Sequence, residues 1–255
     1  MESAGVGACR GEDGGLALVT ANAESGRGGG QRELTFLLAR WEKPVLVWLA
    51  QRVPRRIRSN HLTGLGVIGA TGTGIAYALT NYSHAWLWMA SAMLVVNWLG
   101  DSLDGTLARV RETQRPKYGY YLDHVVDAYS TMIIGLGLGL SPYVYLGLAL
   151  AVVVVYLAMS INVYLESTVF GVFKISYGRI GPTEVRLILV FLNTVAIVTT
   201  GWPSPLPVPI DVVANWTLGV ILAGMVALFV GRFARNLYRL NKLEPQRYRW
   251  WEQKS

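Results

Sequence analysis

Four aspartates near the middle of the chain are spaced so that their carboxylates fall on two helical faces. Asp101 and Asp104 are three residues apart, and Asp123 and Asp127 are four residues apart, so each pair shares one face of a helix. A short basic segment joins the pairs, which allows the two faces to oppose each other in an antiparallel helix pair. An unpaired carboxylate in or beside hydrocarbon is costly, so this arrangement indicates a functional site.

The chemistry that suits such a cluster is metal-assisted. Carboxylates that converge without matched basic partners repel one another unless divalent cations lie between them. Ligand sets made only of oxygen suit Mg²⁺, Mn²⁺ or Ca²⁺, and paired metals recur in phosphoryl transfer. Gly105, Ala108 and Gly119 lie on the same helical faces and leave room for a broad flat group. Arg109 places a cation near any phosphate, so the pattern predicts chemistry on a phosphate compound.

Long apolar blocks surround this cluster. The chain has 255 residues, of which 52% are hydrophobic and 15% charged, whereas a soluble domain has about a quarter charged residues. Six blocks approach the ~20 residues that a helix needs to cross ~30 Å of hydrocarbon. They cover approximately residues 62–80, 85–100, 120–140, 143–165, 185–201 and 212–233. We therefore predict an all-α polytopic membrane protein with six transmembrane helices, the second of which continues beyond the membrane through residues 101–109.

The basic residues are concentrated on alternate loops. Segments 109–117 and 174–179 and the stretch from residue 232 onward carry Lys and Arg, whereas the intervening loops carry none. By the positive-inside rule, both termini and the aspartate cluster face the cytoplasm. The net charge of +7 would also suit binding to nucleic acid. The basic residues lie at the edges of apolar blocks, however, and this position favours contact with anionic lipid headgroups instead.

The remainder of the chain divides into three segments outside the six-helix domain, which covers residues 59–240. Residues 1–31 are rich in glycine and lack apolar blocks, so they predict a disordered tail. Residues 32–58 combine apolar and basic residues in helical rhythm and predict an amphipathic helix on the membrane surface. Residues 241–255 predict a basic cytosolic tail.

The segment from residue 101 to residue 127 resembles the signature of the CDP-alcohol phosphotransferase family, D-x2-D-G-x2-A-R-x8/9-G-x3-D-x3-D. All eight fixed positions are present, namely Asp101, Asp104, Gly105, Ala108, Arg109, Gly119, Asp123 and Asp127. We expect the likeness to cover residues 55–235. Within them, SNHLTGLG is similar to the Pro-Asn-x-x-Thr entry to the first span of that family, with Ser59 in place of proline.

This resemblance implies a six-helix membrane enzyme of phospholipid synthesis, commonly a homodimer. Such an enzyme transfers a substituted phosphate from a CDP-linked donor to an acceptor hydroxyl, releases CMP, and uses two divalent cations, Mg²⁺ or Mn²⁺. The same resemblance assigns metal binding to four residues, namely Asp101, Asp104, Asp123 and Asp127. It also assigns the role of general base to Asp127. The residues that it assigns to nucleotide binding are Gly105, Ala108, Arg109, Gly119, Asn60 and Thr63.

The donor and the acceptor stay open between two branches of the family. In one branch CDP-ethanolamine or CDP-choline reacts with diacylglycerol. In the other, CDP-diacylglycerol reacts with a small polar alcohol such as glycerol phosphate, inositol, inositol phosphate or serine. His124, directly after Asp123, resembles the Asp-His-x-x-Asp of the ethanolamine and choline branch, which we favour. Because His124 lies about 100° from the aspartate face, packing against a neighbouring helix is the alternative.

A second basic cluster lies on the same predicted cytoplasmic face. Lys174, Arg179 and Arg186 are candidates for binding the acceptor or a phosphate. The alternative is that they are ordinary positive-inside charges that contact lipid headgroups.

A cation or proton transporter is the alternative from a different functional class. Such a protein would place its acids near the middle of the bilayer and would often show an internal repeat. Here the four aspartates gather at one end of the predicted spans and no repeat is visible, so the pattern favours the enzyme.

Overall fold

The computed structural model describes residues 39–170, 182–200 and 209–244, and every regular element within these ranges is a helix. The seven helices are α1 (Ala39–Arg52), α2 (Ser59–Leu79), α3 (Trp86–Val110), α4 (Pro116–Gly139), α5 (Leu146–Phe170), α6 (Pro182–Thr200) and α7 (Ile210–Leu243). The all-α fold class is confirmed. The predicted tail 1–31 and most of the predicted tail 241–255 lie outside the described residues.

Three of these helices, α2, α5 and α7, are long and apolar enough to cross a membrane. Helices α3 and α4 have 25 and 24 residues, which at 1.5 Å per residue also exceeds ~30 Å of hydrocarbon. Both helices carry aspartates, which lower their hydropathy. The count of six spans therefore stays a prediction, while three apolar helices are present in the described part of the chain.

Helices α2 and α3 approach each other closely because glycines line the crossing. A Cβ on Gly69 or on Gly100 would lie less than 3.0 Å from backbone atoms of the other helix. The buried Asn97 of α3 donates a hydrogen bond of 2.9 Å from Nδ2 to the carbonyl oxygen of Gly66 on α2. This contact holds the half of α3 that carries Asp101 against α2.

Other glycines bring α4 into contact with α2 and α5. A Cβ on Gly137 would collide with the backbone of Gly74 in α2, and one on Gly135 would collide with Val153 of α5. Glycines therefore permit close helix packing within a single chain. Helix α4 is consequently held on both sides.

A tight turn makes α3 and α4 antiparallel. Glu112 takes a left-handed φ of 54°, and its N–H donates to the Arg109 carbonyl at 3.2 Å. The Thr113 N–H donates to the Ala108 carbonyl at 3.0 Å, which completes a Schellman motif at the end of α3. Pro116 then begins α4, where a missing N–H costs nothing. The turn sends the chain back so that the aspartates of α4 approach Asp101 of α3.

Helix α1 lies within the segment predicted to be amphipathic and docks on the other helices. Leu46 and Ala50 are buried in a cluster with Leu62 of α2 and with Leu103 and Leu107 of α3. The Trp48 side chain on another face of α1 is half exposed, and the Arg52 guanidinium stacks over its ring. One face of α1 therefore packs on protein, and another is available to the membrane interface.

Two arginine contacts complete the framework. The Arg111 guanidinium donates to the carbonyl oxygens of Val53 at 2.7 Å and Pro54 at 3.1 Å, which ties the α1–α2 connection to the end of α3. Arg232 of α7 donates from Nε to Glu166 Oε2 of α5 at 2.7 Å, and both side chains are largely buried. This second contact joins α5 to α7.

Candidate active site

Three of the four aspartates form a compact carboxylate cluster between α3 and α4. Asp101, Asp123 and Asp127 each offer a carboxylate oxygen, and these oxygens lie within 4.8 Å of one another. All three residues are half-buried. The two helical faces identified from the spacing thus oppose each other across the helix pair.

The chemistry of this donor set fits a divalent cation. Three half-buried carboxylates at such separations repel one another, and a cation between them would relieve that repulsion. Ligands that are all hard oxygens suit Mg²⁺ or Mn²⁺ rather than a metal that prefers sulfur or imidazole. Asp101, Asp123 and Asp127 are therefore the described residues that could hold a metal.

Asp104 is not among these three, because its side chain is engaged with α2. Its Oδ2 accepts a hydrogen bond from the Thr63 hydroxyl, and its backbone carbonyl accepts one of 2.7 Å from Ser59 Oγ. Asp104 lies beyond residue 100, where the predicted second span ends. Burial raises the pKa of its carboxyl from 3.8 to about 6, and the nearby charges of Asp101 and Asp123 add to this shift. Its part in metal binding stays a prediction.

Arg186 of α6 contacts the cluster directly. Its Nη2 donates to Asp101 Oδ2 at 2.8 Å, and the two side chains are 13% and 21% exposed. The premise that the aspartates converge without a basic partner is therefore wrong for Asp101. From the sequence, Arg186 is only a candidate for binding the acceptor or a phosphate, because no local spacing links it to Asp101, 85 positions away. Lys174 and Arg179 lie outside the described residues.

The small residues of the signature border open space. A Cβ on Gly105 would meet nothing closer than the Arg109 guanidinium at 3.8 Å, and one on Gly119 would meet nothing within 4 Å. Ala108 is half-buried one turn from Gly105. Packing within the described residues therefore does not require glycine at positions 105 and 119, and their part in nucleotide binding stays a prediction.

The polar residues assigned to nucleotide binding lie around the same helix ends. The exposed Arg109 donates from Nη2 to Thr106 Oγ1 at 3.0 Å, which holds its guanidinium along α3. Asn60 of α2 donates from Nδ2 to the Tyr118 hydroxyl of α4 at 3.1 Å. Thr63 donates to Asp104, as described above. These contacts place all three residues beside α3 or α4, while their role toward a nucleotide stays a prediction.

His124 packs between aromatic rings. Its Nδ1 lies 2.6 Å from the Tyr120 carbonyl oxygen, so Nδ1 carries the proton in this contact. The ring centroid is 4.2 Å from that of Tyr120 and 4.6 Å from that of Tyr164 on α5. These residues line an open groove between α4 and α5 together with Tyr121, Val125, Ala128 and Thr168. The surroundings of His124 match the packing alternative.

Comparison with known proteins identifies the family. The family model described as CDP-alcohol phosphatidyltransferase matches residues 57–227, about two thirds of the chain. A search of curated proteins gave no match. The matched range contains the aspartate cluster, Arg186 and most of the helical framework. Members of this family transfer substituted phosphate groups in phospholipid synthesis at membranes. The chain belongs to the CDP-alcohol phosphatidyltransferase family and is a transferase of substituted phosphate groups.

Proposed function

We propose that the protein transfers a substituted phosphate from CDP-ethanolamine or CDP-choline to diacylglycerol and releases CMP. The observation that carries the proposal is the convergence of Asp101, Asp123 and Asp127 within the range matched by the family. The alternative is a phosphatidyltransferase that combines CDP-diacylglycerol with a small polar alcohol. The sequence Asp-His-x-x-Asp favours the first, whereas the packing of His124 against Tyr120 and Tyr164 favours a structural role for that histidine.

The proposed cofactors are two divalent cations, Mg²⁺ or Mn²⁺. Asp101, Asp123 and Asp127 would hold them, and Asp104 is proposed as the fourth ligand because it lies one turn from Asp101 on α3. When bound, the cations would neutralise charge on the diphosphate and on departing CMP. The arrangement of carboxylates on two antiparallel helices supports this assignment.

The chain itself is proposed to supply the base and the orientation of the reactants. The oxygen of the acceptor alcohol forms a bond to the phosphorus that carries the substituent, and the bond from that phosphorus to CMP breaks. Asp127, half-buried on α4, takes the hydroxyl proton as this bond forms. Arg186 lies 2.8 Å from Asp101 and would contact phosphoryl oxygens at the same site.

The nucleotide is proposed to lie over the glycine-lined faces of α3 and α4. The open space at Gly105 and Gly119 and the exposed guanidinium of Arg109 support this placement. Ala108 adds no bulk to the same face. Asn60 and Thr63 would border the nucleotide from α2, and Lys174 and Arg179 keep their proposed role toward the acceptor or a phosphate.

The membrane arrangement is part of the proposal. We propose six spans within residues 59–240, with both termini and the active site on the cytoplasmic side. The tail 1–31, the amphipathic segment 32–58 and the basic tail 241–255 lie outside the bilayer core. The distribution of Lys and Arg among the loops supports this orientation. A homodimer and contacts with anionic lipids are proposed as well, and no nucleic-acid partner is expected.

A panel of substrate pairs tests the proposed function. Purified protein in lipid nanodiscs is supplied with CDP-ethanolamine, CDP-choline or CDP-diacylglycerol, each with and without the matching acceptor, in Mg²⁺ or Mn²⁺. We expect release of CMP from CDP-ethanolamine or CDP-choline only when diacylglycerol is present. Release from CDP-diacylglycerol with a polar alcohol would favour the alternative, and no release from any pair would contradict both.

A further inference from the structure

A single carboxylate on α1 contacts both of the helices that form the Asp101–Arg186 ion pair. Glu42 Oε1 accepts hydrogen bonds from Trp98 Nε1 at 2.8 Å and from Ser102 Oγ at 2.9 Å, both on α3. Its two oxygens lie 3.3 and 3.2 Å from the Thr183 hydroxyl on α6. Every partner can donate, which suits the two acceptor oxygens of a carboxylate. Glu42 therefore joins α1, α3 and α6 at one point.

The contacts of Glu42 lie next to the active site on both α3 and α6. Ser102 directly follows Asp101 on α3, and Thr183 precedes Arg186 by three residues, which places them on the same side of α6. The Glu42 carboxylate thus connects the neighbours of the two residues that form the ion pair. A shift of the first turn of α6 would change the contact between Arg186 and Asp101.

Beyond the Arg186–Asp101 ion pair, a further polar contact between α6 and α3 joins Asn193 Nδ2 to Ser91 Oγ at 3.1 Å. Asn193 is ten residues beyond Thr183, or about 15 Å along the helix. Helix α1, in contrast, is anchored by Leu46 in a buried cluster with α2 and α3. Glu42 therefore reaches α6 from an element that is already fixed.

We propose that Glu42 is a positioning residue for the transfer reaction. Through the Thr183 hydroxyl, it holds the first turn of α6 so that Arg186 stays beside the aspartate cluster. The amphipathic helix at the membrane surface is thereby part of the catalytic framework in addition to being a membrane contact. The inference rests on the proposed function, because Arg186 handles the phosphate only if this cluster is the transfer site.

The variant Thr183→Val tests the positioning of α6 by Glu42 without disturbing the docking of α1 on α3. It removes the contact of Glu42 with α6 and leaves the contacts with Trp98 and Ser102 intact. The matched control is Thr194→Val on the same helix, since the Thr194 hydroxyl donates to the Val190 carbonyl within α6. We expect Thr183→Val to lower kcat roughly 10- to 100-fold with an unchanged unfolding temperature, and Thr194→Val to keep wild-type kcat. Wild-type kcat in Thr183→Val would overturn the proposal.

A double-mutant cycle tests whether Glu42 acts through Arg186. We expect Glu42→Ala to reduce kcat in the wild-type background and to have no further effect in Arg186→Gln. Independent, multiplicative losses would overturn the proposal, because they would show that the two residues act separately. Glu42→Gln keeps an acceptor for Trp98 and Ser102 and can donate to Thr183, so we expect it to retain activity.

Cation binding distinguishes failure of this inference from failure of the proposed function. Mn²⁺ is titrated while thermal unfolding is followed, which requires no turnover. We expect Arg186→Gln and Thr183→Val to lower the midpoint concentration of Mn²⁺, because in each the guanidinium no longer competes at Asp101, and Thr194→Val to leave it unchanged. A lower midpoint in Arg186→Gln alone would overturn the positioning role, even if the wild-type protein released no CMP with any donor.

Discussion

Arg186 of α6 donates a hydrogen bond of 2.8 Å to Asp101 of α3, so a cation of the chain itself contacts the carboxylate cluster. Both side chains are largely buried, which limits screening of the pair by water. The guanidinium partly neutralises the three carboxylates and competes with a metal for the Asp101 oxygen. The electrostatics of the site therefore depend on the contact between α3 and α6.

Replacing Arg186 should tighten cation binding while slowing the reaction. Arg186→Gln removes the positive charge beside Asp101, so we expect the Mn²⁺ affinity to rise several-fold and the rate of CMP release to fall. Isothermal titration and a CMP-release assay measure the two effects. Arg232→Gln is the matched control, because it breaks the Glu166–Arg232 pair between α5 and α7 and should leave Mn²⁺ affinity unchanged. Weaker Mn²⁺ binding by Arg186→Gln would contradict this account.

Replacing Asp127 should remove the proposed base and leave the fold in place. We expect Asp127→Asn to lower CMP release at least ~100-fold, since general base catalysis contributes typically 10²–10⁴-fold. The unfolding temperature should stay at or above that of the wild type, because one of three mutually repelling charges is gone. Asp211→Asn, in the first turn of α7, is the control. Substantial activity in purified Asp127→Asn would disprove the assignment of the base.

Asp104 predicts a pH dependence of stability in the metal-free protein. Its pKa is raised from 3.8 to about 6, chiefly by burial, so the fold binds this proton more tightly than the unfolded chain does. The resulting stability is fully present below pH 3.8 and is lost as the pH rises through 6. In EDTA we expect a higher unfolding temperature at pH 5 than at pH 7.5, with a smaller difference in Asp104→Asn. Equal differences in the two proteins would contradict the raised pKa.

The close crossing of α2 and α3 should contribute to the stability of the protein and to Mn²⁺ binding by the aspartates of α3. Gly100→Ala places a Cβ against the backbone of Gly66, and overpacking of this kind costs about 1–3 kcal/mol. We expect a lower unfolding temperature and weaker Mn²⁺ binding, both followed by thermal unfolding. Gly64→Ala on α2 is the control, because its Cβ would meet nothing within 4 Å. A wild-type unfolding temperature and wild-type Mn²⁺ binding in Gly100→Ala would contradict this expectation. They would show that α2 and α3 can move apart without loss of stability.

The parts of the site that follow from local periodicity could be predicted from the sequence. The spacing of Asp101, Asp123 and Asp127 placed them on two helical faces, and the structure brings their oxygens within 4.8 Å. The basic segment between these faces predicted an antiparallel pair. The turn at Glu112 reverses the chain between α3 and α4.

The contacts that depend on tertiary packing could not be predicted in this way. Arg186 and Asp101 are 85 residues apart, and Glu42 and Thr183 are 141 residues apart, so no helical period relates them. Asp104 shares a helical stripe with Asp101, yet its carboxylate bonds to Thr63 of α2 because the two helices approach closely there. Hydropathy also fails to identify α3 as a membrane span. The reason is that the aspartates that α3 contributes to the site lower its mean hydropathy.

The central claim is that the aspartate cluster performs cation-dependent transfer from a CDP-linked donor. It is tested most directly by CMP release from the wild-type protein in nanodiscs with CDP-linked donors and acceptors, first in excess chelator and then after addition of Mg²⁺ or Mn²⁺. We predict no release in chelator and full recovery after the cation is added. Undiminished release of CMP in excess chelator would contradict the account.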